Sequence, residues 1–388
     1  MDKNNKKIEA MTGGAAMAEA LRQINPDVMA VYPITPQTPI IETYAKMKAD
    51  GKVKTEIVQV ESEHSAMSAT IGASAASARA ITATSSQGLL YMAEMLPIAS
   101  GLRLPILMCV SSRALSAPLN IHGEHGDVMA VREAGWVQIF SENVQEAYDN
   151  TIIALKLSES IDLPVMSIMD GFHTSHTTER LEICDDKSIK NFLGDRKAEK
   201  SLLDFNSPVT FGALALQNSY FDFKLDQEEA IEKAKTEYKK LCAEYMNISG
   251  RKHGIFETYK LEDADYVIVM MGATAGTAKD VIDSLRKKEK KVGLLNIKLY
   301  RPFPYREIGR EIAHVRKIAV LDRAISIGAY PPLYQDIVNS LHHAGSHKNE
   351  IASYIYGLGG RDTLQKDIEK VFKDLEEGEI SNKIKYLK

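Results

Sequence analysis

The chain has 388 residues, 44% hydrophobic and 26% charged, enough to bury a sizeable core and beyond the length at which one core usually keeps growing. Its 48 basic and 52 acidic residues leave a net charge of -4, which argues against a dedicated nucleic-acid or anionic-membrane surface. Cys109, Cys184 and Cys242 form no Cys-x-x-Cys pair, suit a reducing compartment, and cannot alone ligate an iron–sulfur cluster, which normally takes four thiolates.

The polar start Met1-Asp2-Lys3-Asn4-Asn5-Lys6-Lys7 is unlike a secretion signal, and no apolar run reaches about 18 residues. The expectation is a cytoplasmic protein. Thr12-Gly13-Gly14 opens a helix through Leu21, with Thr12 as N-cap and two glycines permitting close backbone approach. Val28–Tyr32 reads as a buried strand between Pro26 and Pro33. Pro33, Pro36 and Pro39 forbid helix until Ile40. Further strands are expected at Ile57–Val60, Ala80–Thr84, Pro105–Ser111, Trp136–Phe140 and Pro164–Met169, separated by helices at Glu63–Ala78, Leu89–Gly101 and Val144–Ser158. Strands separated by single helices make a parallel, doubly wound α/β sheet of about six βα units, assigned to residues 1–184. The Glu63–Ala78 helix is nearly all Ala, Ser, Met and Gly, so neighbours can approach it closely, a subunit interface being one way to supply them.

Residues 185–259 break the rhythm with a charge-rich start, an aromatic and turn-rich stretch over Asn206–Phe223, and a polar helix from Gln227 to about Met246. Alternating charges there mark a solvated face, so this stretch is read as a connector or strap. A second α/β unit, residues 260–388, follows with strands at Tyr266–Met271, Val292–Ile297, Lys317–Leu321 and Ile351–Tyr356 and a last helix over Thr363–Glu376. Gly272-Ala-Thr-Ala-Gly-Thr lacks the third glycine and the acidic partner of a dinucleotide site, and reads as a tight βα turn.

Three stretches follow strands and open helices: Tyr32–Pro39, Glu61–Ala66 and Thr82–Gly88. They belong at the carboxyl edge of the first sheet, where open α/β folds bind ligands. Glu61 and Glu63 are two apart at such a junction. Either caps the helix, where a carboxylate gains up to about 1 kcal/mol from the dipole, or sits in a poorly solvated site where it can exchange a proton with a bound heterocycle. Arg113, at the end of the next strand, pairs with a nearby carboxylate or clamps a substrate carboxylate with its fork. His122, Glu124, His125 and Asp127 match no standard zinc spacing, and read as a polar loop with a helix cap at Asp127.

Taken together, Tyr32-Pro-Ile-Thr-Pro, Glu61-Ser-Glu-His-Ser-Ala, Thr84-Ser-Ser-Gln-Gly-Leu-Leu, Ser111-Ser-Arg-Ala, Gly123–Asp127, Met169-Asp-Gly-Phe-His-Thr-Ser-His and Gly357-Leu-Gly-Gly-Arg-Asp resemble, in order and over nearly the whole chain, the alpha chains of multi-subunit 2-oxoacid:ferredoxin oxidoreductases, the pyruvate enzymes in particular. The resemblance implies a thiamine-diphosphate pyrimidine-binding domain followed by a transketolase C-terminal-like domain. It implies that the diphosphate site, its Mg2+ and a [4Fe-4S] cluster lie on a beta chain, with gamma and delta chains, ferredoxin and CoA completing the system. By position, Glu63 matches the glutamate that hydrogen-bonds N1′ of the aminopyrimidine, Thr35 and Arg113 match residues at the substrate carboxylate and carbonyl, and Pro33 matches a residue packed against the cofactor. Glu61 is then structural, and no metal ligand is expected on this chain. The alternatives are another 2-oxoacid, 2-oxoisovalerate or 2-oxoglutarate, as substrate, and a non-catalytic scaffold subunit.

Overall fold

The computed structural model describes residues 7–196, 198, 200–378, 380 and 383–388. Two α/β units dominate it. The first sheet has seven strands in the order Leu299–Arg301, Val137–Phe140, Val165–Asp170, Ile106–Ser112, Ala80–Thr84, Val28–Val31, Glu56–Gln59. All neighbours are parallel except Leu299–Arg301, which runs antiparallel to Val137–Phe140. The central strands are buried on both faces, as expected of a parallel sheet covered by helices on either side. The second sheet orders Lys385–Tyr386, Glu350–Ile355, Lys317–Asp322, Tyr266–Met270, Val292–Ile297 and Phe256–Tyr259, the last antiparallel.

Several pairings escaped the sequence reading. Leu299–Arg301 lies within the stretch read as the second unit yet edges the first sheet, and Phe256–Tyr259, at the end of the connector stretch, edges the second. A separate ribbon joins Lys7–Thr12 to Thr178–Ile183. Thr12 caps the helix Gly13–Ile24 as expected, accepting from the Ala15 N–H at 3.3 Å. Gly13 is there for space, since a Cβ would lie 2.5 Å from the Thr174 carbonyl oxygen, to which the Gly13 N–H donates at 3.1 Å.

The expected helix over Leu89–Gly101 is two short ones, Ser86–Tyr91 and Met95–Gly101. Pro97, which has no N–H to give to a carbonyl one turn back, sits in the first turn of the second, where that loss matters least. In the connector the helix runs over Tyr220–Ser249, with Ala230, Ala234, Tyr238, Leu241, Cys242 and Tyr245 on its buried stripe against the helix Val144–Ile161. Its charged faces are solvated. All three cysteines are free and buried.

The small-residue helix is Glu63–Ala75. Ala66, Met67, Thr70 and Ile71 face the sheet, while a Cβ on Gly72, on the far side, would meet nothing within 4 Å. This chain covers one face of that helix only.

Candidate active site

Four strands of the first sheet end together, at Val31, Thr84, Ser112 and Asp170, and the loops beyond them bring the candidate residues to one edge. Ser62 caps the small-residue helix, its Oγ accepting from the Ser65 N–H at 3.2 Å. This frees Glu63, the first helical residue, to turn inward: it is 7% exposed. Burial holds its carboxyl above the ordinary glutamate value, opposed only by its own backbone N–H. Glu61 faces water and accepts from the Ser65 hydroxyl, a bond that lowers its pKa. The two glutamates therefore divide in environment, Glu61 on the surface and Glu63 buried.

At this edge lie polar atoms without partners among the described residues, one of them across Gly88 from Glu63. A Cβ on Gly88 would fall 2.6 Å from Glu63 Oε1 and 2.5 Å from Thr84 Oγ1, so glycine at that position lets the helix Ser86–Tyr91 pass here without displacing either side chain. Among the described residues Thr84 Oγ1, Ser85 Oγ and Gln37 Oε1 are buried with no hydrogen-bond partner. Gln37 reaches this strand end with its other amide atom, donating to Ala83 O and Tyr32 O, both at 3.1 Å. Buried polar groups are nearly always paired, so a cluster of unpaired ones fits a ligand that is itself polar.

Arg113 is 6% exposed. Its Nη1 donates to the Thr35 carbonyl at 2.9 Å and its Nε to the Asn120 carbonyl at 2.9 Å, leaving Nη2 unengaged among the described residues. Among the described residues no carboxylate forms an ion pair with the guanidinium. Thr35 and Pro33 are exposed on the turn above the edge, so Thr35 and Arg113 adjoin through one hydrogen bond.

Asp127 ties the two halves of the edge together. Fully buried, it accepts from the N–H groups of Ser86 at 2.8 Å, Arg113 at 2.9 Å and Val128 at 2.8 Å and from the Ser112 hydroxyl at 2.6 Å. One carboxylate thus fixes both the turn that carries Gly88 and the backbone that carries Arg113. The cap position itself is His125; Asp127 lies in the first turn of the short helix Gly126–Ala130, where it accepts from the Val128 N–H and extends that role into this tie. Ser86 holds a left-handed φ of 49° in that turn.

The rest of the His-x-Glu-His-x-Asp loop joins the two units rather than a metal. His125 Nε2 meets Asp170 Oδ1 at 2.6 Å, Arg323 Nη1 donates to Asp170 Oδ2 at 2.9 Å, and Glu124 Oε2 accepts from the Gly359 N–H at 3.0 Å. Burial alone would raise the Asp170 pKa, but the charges of His125 and Arg323 bring it well below the carboxylate range. Gly272, at φ 78°, packs against the same carboxylate, and the Ala273 N–H donates to it at 2.9 Å. The Gly272–Thr277 turn is therefore occupied in holding the units together. Among the described residues one group of acids, Glu142, Glu146 and Glu257, lies within metal-ligand reach. Lys298 and Lys279 already bind those carboxylates at 2.7–3.0 Å, which leaves little room for a cation.

Sequence reasoning singled out Glu63, Arg113, Thr35 and Pro33, and the structure places Glu63, Arg113 and Thr35 at one sheet edge. It missed Asp127 as a positioning group and the unpaired hydroxyls of Thr84 and Ser85. Gly88 was visible only as part of a motif, because the space it protects depends on a side chain 25 positions earlier.

An α/β protein with a polar ligand site at the carboxyl edge of its first sheet is the class that these features define. A family model described as "Pyruvate flavodoxin/ferredoxin oxidoreductase, thiamine diP-bdg" matches residues 19–242, and one described as "Pyruvate:ferredoxin oxidoreductase core domain II" matches residues 264–368. The chain belongs to the pyruvate flavodoxin/ferredoxin oxidoreductase family and is a subunit of a thiamine-diphosphate-dependent 2-oxoacid oxidoreductase that works with other subunits. It is 48% identical to pyruvate synthase subunit PorA of Thermotoga maritima, over 97% of each chain, and 43% identical to subunit PorA of Methanocaldococcus jannaschii, over 96% of each. It is 39% identical to ketoisovalerate oxidoreductase subunit VorA of Pyrococcus horikoshii, over 98% of this chain and 97% of the other. A solved structure of 2-oxoglutarate:ferredoxin oxidoreductase from Magnetococcus marinus shares the fold, with a TM-score of 0.74 at 19% identity, covering 96% of this chain and 66% of that one. Among the described residues no helix is long and apolar enough to cross a membrane.

Proposed function

We propose that this chain is the alpha chain of a CoA-acylating pyruvate:ferredoxin oxidoreductase, a pyruvate synthase, and that it supplies the pyrimidine-recognising half of a shared active site. The observation that carries the reading is Glu63: a buried carboxyl with a raised pKa, without a side-chain partner among the described residues, across Gly88 from the unpaired Thr84 hydroxyl at a sheet's carboxyl edge. A protonatable acid in a pocket of unmet donors and acceptors fits an aminopyrimidine, whose ring nitrogens and amino group offer both. Held there by Glu63 and its neighbours, thiamine diphosphate would supply a carbon nucleophile for the 2-oxo group and an electron sink for decarboxylation.

Glu63 holds the proton that is exchanged with ring nitrogen N1′, and its burial, which raises the carboxyl pKa, favours the protonated form. Arg113, lacking a carboxylate of its own, offers Nη2 to the carboxylate of the oxoacid. Thr35 stands beside it to meet the carbonyl region, and Pro33 lies against the cofactor. Asp127 keeps the two parts in register. The diphosphate, Mg2+ and the nearest [4Fe-4S] cluster are assigned to a beta chain, further clusters to a delta chain and CoA contacts to a gamma chain, with ferredoxin as the acceptor. That division rests on the family resemblance and on the subunit names of the relatives. The domain division 1–184, 185–259 and 260–388 belongs to the same reading.

In the complex purified with its native partners, Glu63→Gln is expected to lower CoA-dependent pyruvate oxidation by at least about 100-fold, with Glu61→Gln within about threefold of the native rate. Full turnover by the Glu63 variant would refute the reading. Identity of 38–40% to VorA subunits favours 2-oxoisovalerate as the second candidate substrate. Comparison of kcat/KM for pyruvate, 2-oxoisovalerate and 2-oxoglutarate decides between them, and a preference other than pyruvate overturns the assignment.

A further inference from the structure

Thr82 and Thr84 are two apart on one strand, and both are fully buried. Thr82 donates its hydroxyl to the Ala30 carbonyl at 2.8 Å, as a buried hydroxyl should, whereas Thr84 Oγ1 has no partner. Leaving such a group unpaired is costly, and each case asks for a reason. The reason lies across Gly88. The point where a Cβ would stand is 2.5 Å from Thr84 Oγ1 and 2.6 Å from Glu63 Oε1, so a hydroxyl without an acceptor and a carboxyl without a side-chain donor flank the same spot. Gly88 keeps that spot empty, and it does so without a left-handed φ, so space rather than backbone freedom is what glycine provides there.

We propose that Thr84 is the positioning residue for Glu63: its hydroxyl donates to the Glu63 carboxylate as the carboxyl proton passes to the pyrimidine ring nitrogen, so that the buried negative charge is never left unpaired. The proposal rests on the reading that Glu63 faces that nitrogen. One proton moves, from the Glu63 oxygen to N1′, and Thr84 keeps its own. A donor to the charged form lowers a carboxyl's pKa, so Thr84 sets the pH at which Glu63 can release its proton. It also fixes which oxygen points toward the ring. Ser85 Oγ, next in sequence and likewise unpaired, follows the strand's end and belongs to the turn instead.

The test uses the assembled complex loaded with thiamine diphosphate. Deuterium exchange at the cofactor's C2 is read by NMR after acid quenching across a range of pH, alongside the cofactor's dissociation constant. Thr84→Val matches the shape and removes the donor. It is expected to slow exchange about tenfold at neutral pH and to move the acid limb of the profile up by about one unit, with cofactor affinity within about threefold of native. Thr84→Ser is expected to restore both rate and profile. An unchanged profile in Thr84→Val, or equal slowing in the valine and serine variants, overturns the proposal and leaves Glu63's role intact. Native exchange in Glu63→Gln overturns the reading of Glu63 itself.

Discussion

Gly88→Ala adds one methyl group at the tightest point of the site. Its Cβ would stand 2.5 Å from Thr84 Oγ1, 2.6 Å from Glu63 Oε1 and 2.9 Å from Glu63 Cγ, where ordinary contact begins at 3.4 Å. Both contacts must open by most of an ångström, so Glu63 and the helix that carries Gly88 shift away from each other and from the strand that holds Thr84. Overpacking of this kind costs about 1–3 kcal/mol, and replacing glycine by alanine in a helix returns about 1 kcal/mol. The net loss is roughly 0–2 kcal/mol, a fall in melting temperature of a few degrees for a chain of this size. Catalysis should suffer far more, since a shift of about 1 Å in a reacting group can cost about 100-fold. The assay pairs a thermal melt of the chain with steady-state pyruvate oxidation by the complex. A variant that melts within a few degrees of native and keeps kcat within about threefold would refute the claim that the glycine protects Glu63's position.

Two further outcomes follow from the same geometry. Arg113→Lys loses the fork that holds two carbonyls while presenting a third nitrogen, so KM for the oxoacid should rise about tenfold or more with thiamine diphosphate affinity little changed; steady-state kinetics and cofactor titration check both. Asp170 has its pKa lowered in the fold, so its stabilising contribution is complete above its unfolded value of about 4 and is lost as pH falls through the lower folded value. The difference in melting temperature between the native chain and Asp170→Asn should therefore be constant from pH 7 to about 5 and shrink below about 4; a difference that grows with acid contradicts the ion-pair account.

Much of the fold was legible because parallel strands buried on both faces read as continuous apolar runs, and Val28–Val31, Ala80–Thr84 and Val165–Asp170 fall where those runs stand. The edge strands were not. Leu299–Arg301 has three residues and gains its place from a neighbour in another unit, and no local pattern records that. Glu63 and Glu61 could be told apart in sequence only through resemblance, because their environments differ by the turn of one helix start. Asp127 was misread for a related reason. An aspartate before an apolar run carries a capping signal, and the four donors that claim it come from three separate segments.

The short strand Leu299–Arg301 also bears on how the protein is made. It pairs Leu299 with Ile139, so the first sheet keeps an open edge at Val137–Phe140 until the ribosome has passed residue 301. At about 5–20 residues per second that is an interval of roughly ten to thirty seconds. Throughout it a nascent chain with a nearly finished site presents unpaired N–H and C=O groups beside Val137, Ile139 and Phe140, a template for pairing with another chain. Fragments ending before the second unit should be aggregation-prone even though they contain Glu63, Arg113 and Thr35, which makes the second unit a condition for the soluble existence of the first.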